Sequence, residues 1–146
     1  MANPIVYVLM GDPIPLARCR ISRRTYRMYD TQKELKLVSQ ITLKNQHNQY
    51  GSRPLYKGPL KVESFFYFHI PKTKKDTHPL DYKTSKPDVD NLVKLILDMA
   101  NGILFKDDSQ VVEMICHKLY DINPRTEFII EEIGKNGQEE KKRKTN

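Results

Sequence analysis

The sequence predicts a single α/β (α+β) domain in which a mixed β-sheet is packed by two main helices. Three observations carry this reading. The length of 146 residues matches one ordinary domain; short apolar runs have the composition and alternation of strands; and two stretches repeat apolar residues at helical spacing. With 38% hydrophobic and 29% charged residues, the composition fits a folded soluble protein better than a disordered one. The apolar runs fall far short of the roughly 20 residues a bilayer-spanning helix needs. The first ten residues carry neither a basic segment nor a cleavage site. A cytosolic protein is expected, with no membrane contact and no small-molecule cofactor. Cys19 and Cys116 are too few for a disulfide framework and too far apart for a metal-binding pair, so both read as buried or idle thiols.

The elements follow in order. Ile5 to Met10 form an apolar, partly β-branched run ended by Gly11, Pro13 and Pro15, so a buried strand is expected over 5–10. Arg18, Arg20, Arg23, Arg24 and Arg27, five of the chain's eight arginines, fall within ten residues that contain no acid, and this segment reads as a loop. Thr31 and Glu34 have the spacing of a capping box, and Leu35, Val38, Ile41 and Thr42 then recur at helical spacing, predicting a helix over 31–48. A Gly- and Pro-bearing loop follows. A long strand is expected over 60–70, with Val62, Phe66, Phe68 and Ile70 on one face and Pro71 as its stop.

Lys72, Lys74, Lys75, Lys83 and Lys86 lie in a stretch with little that is apolar, which reads as a mobile basic loop that orders on a partner. Leu92, Val93, Ile96, Leu97, Met99 and Ala100 make the broad apolar stripe of a helix over 90–100, capped by Asp90 or Asn91 and ended by Asn101-Gly102. Over 110–120, Val112, Met114 and Cys116 alternate with Val111, Glu113, Ile115 and His117, as in a strand buried on both faces for part of its length. A last strand is expected over 127–133. The domain therefore spans 1–133, and 134–146 is a basic tail, read as disordered, that holds +3 of the chain's net +7.

The positive charge favours a polyanionic partner, and the arginine cluster marks a local anion site. Against this background the acids stand out. Pro87 biases its predecessor to an extended conformation, and if the chain stays extended through Val89, Asp88 and Asp90 point to one side. Two carboxylates that close repel each other unless a proton or divalent cation intervenes, and hard oxygen ligands select magnesium, with manganese as a substitute. Lys94 lies one helical turn after Asp90, where its ammonium can meet a phosphate oxygen beside the metal. A helix from Asn91 to Asn101 advances about 16 Å and the next seven residues can span about 23 Å, so Asp107 or Asp108 can return to its start. Three carboxylates and a lysine are the equipment of metal-assisted phosphodiester hydrolysis. The plainer alternative makes Asp90 an N-cap, Asp107-Asp108 a turn and Asp88 a solvated acid. An EF-hand is excluded, because counting from Asp88 places Leu92, Lys94 and Ile96 at ligand positions and Met99 where a Glu is required. His47, His69, His78 and His117 show no zinc-like spacing and read as surface or strand residues.

Lys86-Pro87-Asp88-Val89-Asp90-Asn91-Leu92-Val93-Lys94, followed by Leu97-Asp98, Asn101-Gly102 and Lys106-Asp107-Asp108-Ser109-Gln110-Val111-Val112-Glu113, resembles the signature of the RusA family of Holliday junction resolvases. Pro13-Ile14-Pro15-Leu16-Ala17-Arg18-Cys19-Arg20 resembles the family's Pro- and Arg-bearing loop after the first strand, with Arg18-Cys19-Arg20 where many members carry Arg-Pro-Arg. The resemblance implies a small, cytosolic, homodimeric, magnesium-dependent endonuclease, bacterial or phage-encoded, that resolves four-way DNA junctions by paired nicks in recombination and repair. It places Asp88, Asp90 and Asp108 at the catalytic, metal-binding aspartates, with Asp107 as a further candidate metal ligand, and Lys94 at the essential lysine. DNA contacts are expected from Arg18, Arg20, Arg23, Arg24, Arg27, Lys72, Lys74, Lys75 and Lys86. Two other readings stay open: a non-catalytic basic nucleic-acid-binding module, and a related nuclease acting on flaps or forks.

Overall fold

The computed structural model describes residues 4–137 and 144–145. Its centre is a four-stranded mixed sheet of β1 (Val6–Met10), β4 (Leu60–Phe68), β5 (Val111–Tyr120) and β6 (Arg125–Glu132), in the spatial order β1-β6-β4-β5. β6 pairs antiparallel with β1 and β4, and β4 pairs parallel with β5. The β4-to-β5 crossover is made through α2 (Val89–Ala100), and α1 (Lys33–His47) follows a separate hairpin of β2 (Arg20–Ile21) and β3 (Met28–Tyr29). The α+β class, the mixed sense of the main sheet and the two helices are as the sequence predicts.

Alternation along the strands sends one sheet face to the helices. Tyr7, Leu60, Val62, Phe128 and Ile130 meet Leu43 of α1 and Leu95 and Met99 of α2, while Phe66, Phe68 and Tyr120 meet Leu92 and Ile96. The N-terminal half of α2 is thereby packed onto the C-terminal end of β4. Gly102, at φ +77°, closes α2 with a left-handed turn that a side chain would strain.

Several expectations are corrected. β1 is an edge strand buried on one side only: Tyr7 is fully buried, but Met10 is exposed. The arginine segment is not a plain loop but the β2–β3 hairpin, closed by Ser22 N–H to Arg27 O at 2.9 Å. The capping box at Thr31 does not form. Gln32 is the N-cap residue of α1 without a side-chain cap, and Asp30 Oδ1 instead accepts the Gln32 N–H at 2.8 Å. Of the apolar residues whose spacing predicts that helix, Val38 and Ile41 are exposed, whereas Ser39, Leu43 and His47 are buried. His47 is therefore neither a surface nor a strand residue.

In β5, the register steps from Leu60 opposite Val111 to Lys61 opposite Glu113. This bulge leaves Val112 exposed and turns Val111 to the core beside Met114; the expected cover on both faces is confined to the second half of the strand, Cys116 to Tyr120, and is partial there. The lysine-rich segment, expected to be mobile, is tied to β5: Leu80 N–H donates to Tyr120 O at 2.7 Å, Tyr120 N–H to Asp81 O at 2.9 Å and Lys83 N–H to Lys118 O at 2.9 Å. Of the basic tail, residues 138–143 and 146 lie outside the described residues, and with them the expectation of disorder there.

Candidate active site

α2 begins at Val89, so the chain is not extended through that residue, and the alternation invoked to align Asp88 with Asp90 does not apply. Asp88, rather than Asp90 or Asn91, occupies the N-cap position with extended backbone, and its side chain makes no capping bond. Asp90 lies in the first helical turn, and its Oδ2 is 3.9 Å from Lys94 Nζ, with both side chains well exposed. A surface pair at that distance contributes little to stability. The apolar stripe of α2 fixes the helix, and the positive end of its dipole faces both carboxylates.

The second group of acids sits on a 3-10 turn, Asp108–Gln110, that packs against α2. Gln110 holds this turn in place: its Oε1 accepts the Asp107 N–H at 3.1 Å, and its Nε2 donates to the carbonyls of Tyr56 and Gly58. Asp107 is engaged within the turn. Its Oδ2 accepts the Ser109 hydroxyl at 2.6 Å, and that bond, with one from Asp108, holds its carboxyl below the ordinary range. Asp108 is shifted the other way, by desolvation first and then by the facing Asp107 and the charge of Asp98. A carboxyl that resists ionisation beside two other acids is the environment a divalent cation relieves. The donor chemistry, hard carboxylate oxygen throughout, fits magnesium or manganese. Among the described residues, however, no three His, Cys, Asp or Glu side chains converge to hold a metal ion. The acids are thus placed on adjoining elements, as two groups.

The arginine hairpin springs from the same end of α2. Leu16 N–H donates to Asn91 O at 2.9 Å, which pins the irregular segment leading into the hairpin beside the turn that bears Asp90. Arg18, Arg20, Arg23, Arg24 and Arg27 are all exposed. Lys72, Lys74, Lys75 and Lys86 are exposed too, on the segment against β5. Lys74 donates to the Tyr120 hydroxyl at 3.2 Å. Lys83, to which no DNA contact was assigned, lies over the rings of Phe68 and Tyr120 at 5.2 and 5.3 Å and anchors the segment.

Sequence reasoning missed Asp98, which approaches Lys36 Nζ at 3.8 Å and burdens Asp108 electrostatically. Its helical position three residues past Leu95 was legible; its neighbours on α1 and the 3-10 turn were not. Gln32 was missed as well, and no local pattern marks it.

A family model described as "Endodeoxyribonuclease RusA" matches residues 10–131. The uncharacterized protein YqaN of Bacillus subtilis (strain 168) is 30% identical over 139 residues, 88% of this chain and 96% of that protein. The crossover junction endodeoxyribonuclease rusA of Lactococcus phage r1t is 36% identical over 76 residues, 51% of this chain and 56% of that protein. The matched span contains the arginine hairpin, both helices and every acid considered above, and the chain belongs to the RusA endodeoxyribonuclease family.

Proposed function

We propose that this chain is a divalent-metal-dependent endodeoxyribonuclease that resolves four-way DNA junctions in the bacterial or phage-infected cytoplasm, serving recombination and repair. The observation that carries the reading is the Leu16–Asn91 backbone bond, which joins the segment leading into the arginine-rich β2–β3 hairpin to the helix end where Asp88 and Asp90 emerge. A binding module has no use for acids at the mouth of its cationic surface, since they repel the phosphates it must hold. A hydrolase does.

Asp88, Asp90 and Asp108 would hold magnesium or manganese, Asp107 serving chiefly to build the turn. Bound there, the ion would polarise the scissile phosphodiester and acidify a water molecule. Lys94, one turn above Asp90, is assigned to a non-bridging oxygen of the reacting phosphate. The five hairpin arginines and Lys72, Lys74, Lys75 and Lys86 grip the flanking backbone, contacts that position the arms without reading sequence. Neutralising Arg18, Arg20, Arg23 and Arg24 together should weaken junction and duplex binding alike, lowering the log–log salt slope by about 0.9 per lost phosphate contact.

Two nicks at symmetric positions require two such sites, so the working unit is a homodimer. The outward row Leu37, Val38 and Ile41 of α1 supplies apolar surface for a second copy of this chain. Light scattering should report a dimer at micromolar concentration and a monomer when all three are changed to serine; a parent monomer, free and on DNA, would contradict the assembly.

The function itself is tested by incubating the protein with a synthetic four-way junction and a matched linear duplex, with magnesium and with chelator. Cleavage of the junction alone, lost on chelation, is expected. Junction binding with no cleavage under any metal condition would return the chain to the binding-module reading.

A further inference from the structure

The hairpin and the acids can cooperate only if the spacing between them is fixed, and one side chain closes the frame that fixes it. Gln32 stands at the N-cap of α1 yet caps nothing. Its amide turns to the segment leading into the hairpin instead: Oε1 accepts the Ala17 N–H at 2.9 Å and Nε2 donates to Pro15 O at 2.8 Å. A primary amide offers one acceptor and one donor side by side, and here it copies the pairing of a neighbouring β-strand on a single residue. Between the two clamped residues, the Leu16 N–H goes the opposite way, to Asn91 O at 2.9 Å on α2. Three consecutive residues are thus held alternately by the starts of α1 and α2.

Gln32 is itself held. Its N–H is bonded to Asp30 Oδ1 at 2.8 Å, Asp30 Oδ2 takes Lys36 Nζ at 2.6 Å, and Lys36 reaches Asp98 of α2 at 3.8 Å. The circuit runs from α2 through α1 to the segment leading into the hairpin and back to α2. Beyond Ala17 the β2–β3 hairpin makes no backbone bond to the rest of the domain among those described, so its direction is set where it leaves the clamp.

We infer that Gln32 is a positioning residue for cleavage: by gripping Pro15 and Ala17 it sets where the arginine hairpin lies relative to Asp88 and Asp90, and hence where the scissile phosphate falls. The inference rests on the nuclease reading above. A small misplacement of a reacting group is enough to slow a reaction by one to two orders of magnitude without removing any binding contact.

The test uses the protein's own thiols. Cys19 is exposed two residues past Ala17, whereas Cys116 is half-buried and its thiol is pushed up to about 11 by burial, so a neutral-pH spin label goes to Cys19. The parent, Gln32→Ala and the near-isosteric Gln32→Met are compared by label mobility, by single-turnover cleavage of a four-way junction at saturating protein, and by the salt slope of junction binding. Both variants should loosen the label and slow cleavage by about tenfold or more, with the salt slope unchanged because every arginine remains. Gln32→Glu, which keeps the acceptor for Ala17 and loses the donor to Pro15, should fall between. An unchanged spectrum, or a loosened hairpin that still cuts at the parent rate, overturns the inference. If the parent cuts no junction, the nuclease reading falls, and the spectrum alone decides whether Gln32 fixes the hairpin.

Discussion

α1 and α2 pack on the same face of the sheet and against each other, and they divide their residues in opposite ways. α2 turns Leu92, Leu95, Ile96, Met99 and Ala100 into the core and keeps its charges at the tip and on the outer side. α1 buries Ser39 and His47 with Leu43, and leaves Leu37, Val38 and Ile41 more than half exposed. His47 is accommodated because each ring nitrogen has a partner: Nε2–H donates to Pro54 O at 3.0 Å, Nδ1 is hydrogen-bonded with the Tyr7 hydroxyl at 2.8 Å, and Tyr56 lies 3.0 Å from that hydroxyl. A satisfied polar network can replace an apolar seam inside. α2 thus spends its apolar residues on the core and leaves its acids at one exposed end, whereas α1 leaves an apolar row uncovered, the surface assigned above to a second copy of this chain.

Changes at the two helices should therefore differ in kind. The largest effect is expected from Asp90→Asn or Asp88→Asn at the tip of α2, where single-turnover cleavage should fall by on the order of 10²–10³ while gel-shift affinity for the junction holds or rises, since a charge that repels DNA is gone. Equal loss of binding would make the tip structural instead. Next in size, Leu92→Ala in the α2 stripe should cost about 2–5 kcal/mol in urea unfolding, while Leu37→Ala on α1 stays within about 0.5 kcal/mol in the monomer. Comparable costs would show that α1 buries its apolar row in the folded monomer.

His47→Leu sharpens the contrast from inside α1. It leaves the Pro54 carbonyl without its donor and the Tyr7 hydroxyl with Tyr56 alone, and about 1–3 kcal/mol of stability should be lost despite a gain in side-chain hydrophobicity; a neutral or stabilising result would mean the network can be replaced by packing alone. The smallest effect concerns the link between the helices. Hydrogen bonds from Lys36 and the Gln32 backbone hold the Asp30 carboxyl below its ordinary value. A depressed folded value contributes stability above the unfolded value and loses it as pH falls through the folded one. The stability gap between parent and Asp30→Asn should thus be open at pH 7 and closed in acid, well below the unfolded-state value of about 3.9; a gap that persists there would remove the ionic link from the account.

α2 was legible because every signal agreed: an apolar stripe at helical spacing, a terminating Asn101-Gly102, and a motif that fixes its acids in sequence. α1 was legible as a helix but not in its orientation. Val38 and Ile41 win any argument from hydrophobicity alone, and the partners that bring His47 inside, Tyr7 and Pro54, come from outside the helix. The capping box failed for a related reason: Thr31 and Glu34 have the right spacing, but Asp30 accepts the Gln32 N–H and the Lys36 ammonium, Gln32 reaches back to Pro15 and Ala17, and the helix starts two residues later. The β5 bulge, the docking of the lysine segment and the Gln32 clamp all depend on pairings between distant segments, which no local window contains.

We propose that acids on two elements, the start of α2 and the turn at 107–108, act as one metal site. Titrating manganese into isotopically labelled protein and following paramagnetic broadening of the backbone amides tests it most directly. The account predicts reversible broadening centred on residues 88–94 and 106–109 together, relieved by chelator and abolished in both segments by Asp90→Asn. Broadening confined to one segment, or centred on acids elsewhere such as Glu131 and Glu132, would contradict it.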